Sequence, residues 1–428
     1  MSDLKLARPM TNIQKKEVIH DSFGGFNNSI NAKEFEFVDM KNLTSDEFPQ
    51  ISQRKSRELV RTLATPNGLF SDGLKMCWVD GTKFYYDGIE KGLVANSKKQ
   101  FVEINKNILI FPDKMFYDTV AGTFGTFASG TPEIDYAVVH NNRVFGVKGQ
   151  NVYASKQGDF KQWNTFAGLV TDSYATDVAG AGSFKGITKY QNHVVIQTET
   201  TMFELYGYKP ENFQIQEAIK QGVLSNTYAE LNSTLYFANE NGVYIYNGGL
   251  PHNISEDRVL LKFNSNAVSG TDGQKYYISL DSGLFIYDPK FDIWHKEDDV
   301  KVVSFTYHNG FIYALLTDGK MIKFNSGSEL VRYSAIFAET FDGDYFSKKG
   351  VRTIEIYAEM GPESFVSVCL KDSTKNDFVT VATFASETER SLMIPMLVNA
   401  QAYQLKLEGY GSIKIRAIKK VLLRGGKR

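Results

Sequence analysis

Apolar and polar residues alternate along most of this chain, and turns rich in Asn, Asp and Gly interrupt the alternation. The clearest repeating units, each with two alternating segments around such a turn, are residues 227–249, 268–288 and 302–324. Alternation with a period of two is typical of half-buried β-strands, and Asn or Gly between two such segments is typical of hairpins. The pattern therefore predicts an all-β protein.

The repeats have a regular spacing along the chain. Their central turns lie near Asn142, Asn192, Asn232, Gly273 and Gly310. A step of roughly 40 residues is the period of four-stranded propeller blades. The spacing predicts a β-propeller over residues 66–330. It has six blades or seven, because residues 76–88 and 101–118 either share one blade or form two.

The segments on either side of the repeats, and one within them, have a different pattern. In residues 1–65, Phe35 and Phe37 alternate with acidic residues, as in a half-buried strand. We expect a strand of this N-terminal extension to pair with the last blade and close the ring, because an open propeller would leave sheet edges unpaired.

Residues 331–428 contain seven short alternating segments, which predict a small antiparallel β-sandwich. Residues 167–183 predict a long loop that contacts other molecules.

Composition excludes several classes of protein. With 42% hydrophobic and 13% aromatic residues, the chain can bury a substantial core and is not intrinsically disordered. Lys and Arg (48) balance Asp and Glu (49), so the chain as a whole does not coat nucleic acid through its charge, although a local basic patch stays open. Cys77 and Cys369 lie in apolar segments and are predicted to be buried thiols.

The sequence predicts neither a membrane span nor secretion. No apolar run reaches the roughly 18 residues of a membrane helix. The first residues lack the apolar core of a signal peptide. We therefore expect synthesis and assembly in the cytoplasm.

No catalytic or metal-binding motif is present in the sequence. The six histidines have no metal-ligand spacing, and no nucleophile elbow, phosphate-binding loop or dinucleotide fingerprint occurs. His140, His193 and His308 stand beside turns and are interpreted as turn residues. The sequence thus predicts a protein that is not an enzyme and has no cofactor or metal.

Two alternatives stay open. A propeller glycosidase would need a pair of carboxylates, but no motif selects a pair from the plentiful acidic residues, which include Glu204, Glu217 and Glu240. A glycan- or receptor-binding propeller would use aromatic residues at equivalent turns. The three tryptophans (Trp78, Trp163 and Trp294) do not occupy equivalent positions in the repeats.

Basic residues are the candidate contacts to a partner. They lie in residues 54–61 and at the end of the chain, and they are Arg54, Lys55, Arg57, Arg61, Lys427 and Arg428. Such residues bind phosphate backbones or acidic partners. The alternative is a charged strand edge that protects the sheet against aggregation.

The ends of the chain resemble a known family. Phe-Gly-Gly-Phe-Asn at residues 23–27 and Phe-Pro-Gln-Ile-Ser-Gln-Arg at residues 48–54 precede the repeats. Residues 348–357, 390–395 and 403–415 follow them in a similar order of strand and turn residues. This arrangement resembles bacteriophage virion proteins of the tail-hub and packaged-DNA-stabilisation type, which place a β-propeller at the head-to-tail junction or at the distal tail.

The resemblance implies a structural role. Members of this family carry no catalytic residues, so none can be transferred to this chain. The resemblance implies a homo-oligomeric ring, sixfold or twelvefold, around a central channel. Its partners would be portal, adaptor or tail proteins, with contact to packaged DNA in the channel. The protein would be located in the virion, after assembly in the cytoplasm of the host bacterium.

Overall fold

The computed structural model describes residues 14–343, 345–385 and 390–424. They form an all-β protein made of small antiparallel sheets, which confirms the predicted class. The described residues contain no α-helix, and a single 3-10 turn spans Pro210–Asn212. The hairpin turns use the left-handed backbone conformation, with φ of 55° at Asn142, 49° at Asn232 and 83° at Gly310. Asn and Gly tolerate that conformation best, which is why these residues mark the turns in the sequence.

Residues 14–65, the described part of the N-terminal region, contain five strands. They are β1 (Gln14–His20), β2 (Phe37–Lys41), β3 (Leu43–Thr44), β4 (Ile51–Gln53) and β5 (Ser56–Thr62).

Seven four-stranded antiparallel sheets occupy most of the described chain, and in six of them the strands are neighbours in chain order. The strands of the first three sheets are β6 (Pro66–Ser71), β7 (Met76–Asp80), β8 (Lys83–Tyr86) and β9 (Ile89–Leu93); β10 (Gln100–Ile104), β11 (Asn107–Phe111), β12 (Met115–Asp118) and β13 (Phe124–Thr126); and β14 (Tyr136–His140), β15 (Arg143–Lys148), β16 (Asn151–Ala154) and β17 (Tyr174–Asp177).

The remaining four sheets follow the same plan. The strands of the fourth, fifth and sixth sheets are β18 (Gly186–Tyr190), β19 (His193–Gln197), β20 (Met202–Tyr206) and β21 (Gln214–Ile219); β22 (Ala229–Leu231), β23 (Thr234–Asn239), β24 (Gly242–Tyr246) and β25 (His252–Asn253); and β26 (Val268–Thr271), β27 (Tyr276–Leu280), β28 (Gly283–Asp288) and β29 (Ile293–Asp298). The seventh sheet contains β30 (Val302–His308), β31 (Phe311–Leu316), β32 (Lys320–Gly327) and the N-terminal strand β5.

The seven sheets pack against one another in a cycle. Buried apolar residues of each sheet share a hydrophobic cluster with those of the next sheet, from the first through to the seventh. Leu69 and Trp78 of the first sheet then pack with Leu315 and Met321 of the seventh. β5 pairs antiparallel with β32, which is the pairing that the closure hypothesis describes. This cyclic order is compatible with a β-propeller.

Two larger sheets contain the C-terminal region. Its strands are β33 (Arg332–Phe337), β34 (Lys349–Met360), β35 (Phe365–Asp372), β36 (Val379–Ala385), β37 (Arg390–Ala400), β38 (Tyr403–Tyr410) and β39 (Ile413–Arg424). One sheet has the order β3-β4-β39-β34-β37 with β1 also paired to β39, and the other has the order β2-β33-β38-β35-β36. Ile356 and Ile418 of the first sheet share one hydrophobic cluster with Val368 and Leu407 of the second.

The N-terminal strands therefore differ from the expected simple extension. β1 to β4 belong to the two larger sheets, and only β5 belongs to the seven small ones. The segment before β2 crosses the outer strand of the sixth sheet, where the backbone N–H of Phe26 donates to the carbonyl of Trp294. Gly25 allows this close approach, because its φ is +77° and a Cβ there would overlap the side chain of Ile293.

Candidate functional site

Arg54 and Arg57, which were predicted to contact partners, lie inside the protein. The guanidinium of Arg57 donates to the carboxylates of Glu297 and Asp298 at the end of β29, with 2.7 Å between Nη1 and Asp298 Oδ2. It also lies 4.6 Å above the ring of Phe324. Arg54 Nε donates to Asn42 Oδ1 at 2.9 Å and lies 3.5 Å from Glu297 Oε2.

The electrostatics of this cluster are those of an internal ion-pair network. Burial opposes the charge on Arg57, but Glu297 and Asp298 raise its pKa above the ordinary value. Burial lowers the pKa of Arg54. Two cations and two carboxylates balance one another across the seventh and sixth sheets. The structure thus places these two arginines away from the surface, where a phosphate or an acidic partner has no access to them.

Arg61 and Lys55 are exposed. The Cζ atom of Arg61 lies 4.8 Å above the ring of the buried Trp78, so the guanidinium is held against the first sheet. Lys427 and Arg428 lie outside the described residues.

Arg61 borders a groove between the seventh and first sheets, which we call the closure groove. Its volume is about 360 Å³, and its lining includes Val60, Leu74 and Trp78. Val60 is the extra residue of a β-bulge, because Arg61 faces Met321 and Leu59 faces the adjacent Ile322. Val60 and Leu74 are exposed, with 42% and 66% of the residue surface accessible. The groove therefore combines exposed apolar side chains with Arg61 and with the ion pair of Lys75 and Asp87.

A second exposed apolar surface lies on the third sheet, in the loop between β16 and β17. This loop presents Phe166, Leu169 and Val170, each more than half exposed, and we call it the β16–β17 loop patch. The sequence predicted a long contact loop at residues 167–183; the structure places the loop at residues 155–173, and β17 follows it directly.

A buried arginine organises this loop. Arg143 is 1% exposed, and its guanidinium donates to the carbonyls of Ser155, Val170 and Asp172. The carboxylate of Asp172 accepts a hydrogen bond from the backbone N–H of Leu169 at 3.0 Å. These bonds fix the loop from both sides, so its apolar side chains are presented on an ordered scaffold. The sequence analysis missed Arg143, whose only signal was a cation beside a turn.

Glu204 and Glu217, two of the acidic residues considered for a glycosidase pair, have different partners. Glu204 accepts hydrogen bonds from the hydroxyls of Tyr206, at 2.5 Å, and Tyr246. The hydrogen bond to Glu204 and burial raise the pKa of Tyr206 to about 12, and burial lowers the pKa of His193, which lies 3.5 Å from Glu204. Glu217 pairs instead with Lys220.

Within the described ranges, no group of three or more His, Cys, Asp or Glu side chains is placed to hold a metal ion. No helix in the described part of the chain has the length and hydropathy of a membrane span.

Comparison with known proteins identifies no family. No family model matches the sequence, and no curated protein matches it. The extracellular domain of a one-component system from B. thetaiotaomicron is similar, with 11% identity and a TM-score of 0.49, over 90% of this chain and 61% of that one. The computationally designed protein Ika8 is similar with 11% identity and a TM-score of 0.43, over 70% of this chain and 100% of that one. The N-terminal domain of Nup159 is similar with 9% identity and a TM-score of 0.41, over 71% of this chain and 99% of that one.

Proposed function

We propose that this chain is a non-enzymatic structural protein of a bacteriophage virion, located at the head-to-tail connection or in the tail hub. It assembles as a sixfold or twelvefold ring with copies of itself and with portal, adaptor or tail proteins, and the ring surrounds a channel that packaged DNA contacts. The resemblance of residues 23–27, 48–54 and the C-terminal strands to such virion proteins supports this role.

The architecture of this proposal is a seven-bladed β-propeller followed by a β-sandwich. The cyclic packing of the seven small sheets and the pairing of β5 with β32 support a closed propeller. The shared hydrophobic cluster of the two larger sheets supports the sandwich. A propeller joined to a sandwich presents its loops at fixed positions, which suits a protein that must hold several neighbours in register.

One observation supports the proposal of a ring: the described residues include two exposed apolar surfaces that lie apart from each other. The closure groove lies between the seventh and first sheets, and the β16–β17 loop patch lies on the third. The second sheet separates them in the cyclic order on one side, and the fourth to sixth sheets separate them on the other. A head-to-tail contact joins two different surfaces of identical subunits, and it generates a ring when the rotation between subunits closes. In the proposed ring, the closure groove of one copy contacts the β16–β17 loop patch of the next copy.

Cysteine cross-linking tests this contact. The two native cysteines are buried, so new surface cysteines report on the contact alone. A variant with Leu74→Cys and Leu169→Cys should form a ladder of disulfide-linked copies under mild oxidation. The matched control is Leu250→Cys with Leu169→Cys, because Leu250 is 82% exposed and lies outside both surfaces. A ladder no stronger than that of the control would contradict the head-to-tail contact.

A further inference from the structure

A polar cleft lies where the N-terminal segment meets the turns of the fifth and sixth sheets. Its volume is about 600 Å³, within the range of about 300–1,000 Å³ in which small-molecule sites fall. Ser45 and Asp46 line it from the N-terminal segment, Asn232 from the fifth sheet, and Gln274 and Phe291 from the sixth. The cleft is separate from the closure groove and from the β16–β17 loop patch, and it depends on neither.

The floor of the cleft is a fixed network of charges. Lys275 Nζ lies 2.5 Å from Asp46 Oδ1, 3.5 Å from Asp288 Oδ2 and 3.3 Å from Ser45 Oγ. Ser45 Oγ donates to Asp288 Oδ2 at 2.7 Å. Burial opposes the ionisation of Asp46, but the ammonium of Lys275 lowers its pKa below the ordinary value. The side chain of Asp288 is 5% exposed, so this network is held in place before any ligand arrives.

The rim of the cleft offers groups without partners. The side-chain amides of Asn232 and Gln274 are exposed and make no hydrogen bond to any described residue. Phe291 adds a partly exposed ring that is stacked on Phe48, with 4.5 Å between the ring centroids, and Lys290 Nζ lies 4.8 Å from the centroid of the Phe291 ring. The amide donors and acceptors form a surface that matches a ligand with several hydroxyl groups, and the Phe291 ring adds apolar contact beside them.

The charges of the cleft select the class of ligand. Asp46 and Asp288 oppose Lys275 and Lys290, so the lining has no net charge. An anion would meet the carboxylates of Asp46 and Asp288, and a cation would meet the ammonium of Lys275, which lies between them. A neutral ligand with many hydroxyl groups is repelled by neither the carboxylates nor the ammonium. We propose that this cleft binds a neutral saccharide, held by the amides of Asn232 and Gln274 and by contact with Phe291.

An oligosaccharide array tests this site, with neutral members and with sialylated or sulfated members on the same surface. We expect binding to neutral members. The affinity of the best neutral member, measured by titration calorimetry, should fall about tenfold for Gln274→Ala and again for Asn232→Gly, since each removes roughly one hydrogen bond. Glycine is chosen at position 232 because φ is positive there. Asn247→Ala, an exposed amide away from the cleft, is the matched control and should bind as the unaltered protein does.

Three results would overturn the proposal. They are binding to no neutral member, binding to anionic members alone, and neutral binding that is unchanged by both rim variants. Each is independent of ring formation, because cross-linking between Leu74→Cys and Leu169→Cys reports on a different surface of the same protein. The proposal and the proposed function can therefore fail separately.

Discussion

Replacing Arg57 with Leu should destabilise the protein far more than the same change at Lys55, two residues earlier in the chain. The side chain of Arg57 is 9% exposed and that of its partner Glu297 is 4% exposed. Lys55 is exposed and no ion pair of its side chain is found among the described residues. The two variants thus remove one positive charge each from the same short segment, one inside the protein and one outside it.

The expected magnitude follows from what remains after the change. In Arg57→Leu, Glu297 and Asp298 keep the guanidinium of Arg54 as their cation among the described residues, at 3.5 Å and 3.6 Å. Removing one partner of a buried ion pair costs about 3–5 kcal/mol, because an uncompensated charge stays buried. Lys55→Leu should change the free energy of unfolding by less than about 0.5 kcal/mol, as is usual for surface substitutions.

Urea unfolding followed by tryptophan fluorescence measures both variants. A third variant that combines Arg57→Leu with Glu297→Gln should recover part of the loss, since it removes both members of the pair. A loss of unfolding free energy in Arg57→Leu that is no larger than in Lys55→Leu would refute the internal role of this network. Arg57 would then be a surface residue, as the sequence analysis predicted.

Three further predictions concern other buried groups. Gly25→Ala should lower the free energy of unfolding in urea by more than about 2 kcal/mol, since a Cβ at this position would lie 2.5 Å from the carbonyl oxygen of Trp294. The control is Gly73→Ala, which has a similar φ and nothing within 4 Å of the added Cβ, and which should cost only backbone strain of about 1 kcal/mol. Equal losses in the two variants would contradict the close approach of Gly25 to the sixth sheet. Burial, and then the charge of Lys275, lower the pKa of His295 from 6.5 to about 3. As the pH falls, the His295 imidazole is therefore protonated in the unfolded chain before it is protonated in the folded protein, and the free energy of unfolding should fall between about pH 6.5 and pH 3. At pH 5 the free energy of unfolding should be lower by about 2 kcal/mol. A His295→Gln variant should show a flatter dependence over that window, and an equally steep one would count against this assignment. Burial raises the pKa of the Cys77 thiol, and both cysteines are buried. A thiol reagent should therefore modify neither cysteine in the native protein and both cysteines in denaturant. Rapid labelling of the native protein would contradict the burial of these thiols.

Local sequence patterns were sufficient to predict the class of fold and the positions of its turns. Alternation specifies strands residue by residue, and a left-handed turn needs Asn or Gly at one position, as at Asn232 and Gly310. These signals require no knowledge of distant residues. The pairing of the N-terminal strands could not be predicted, because it depends on residues that are distant in the sequence. His20 faces Ile418 in the β1–β39 pair, and nothing near either residue indicates the other.

The candidate contacts show the same limit. Arg57 and Arg61 lie four residues apart in a segment of similar composition, yet the side chain of Arg57 is 9% exposed whereas Arg61 is exposed. The difference arises from Glu297 and Asp298, which are distant in sequence and meet Arg57 only in the folded protein. Arg143 likewise takes its role from carbonyls of a loop that follows it. Runs of basic residues in the sequence therefore selected candidate contact residues. Which of these residues form internal ion pairs and which lie on the surface is known only from the folded structure.

The mass of the purified protein in solution, measured by light scattering together with negative-stain images of the same sample, tests the central claim most directly. The proposed role predicts rings whose mass is six or twelve times the 48.2 kDa of one chain, formed by the protein alone or on addition of portal, adaptor or tail proteins. A particle of 48.2 kDa at every concentration, unchanged by those proteins, would contradict it.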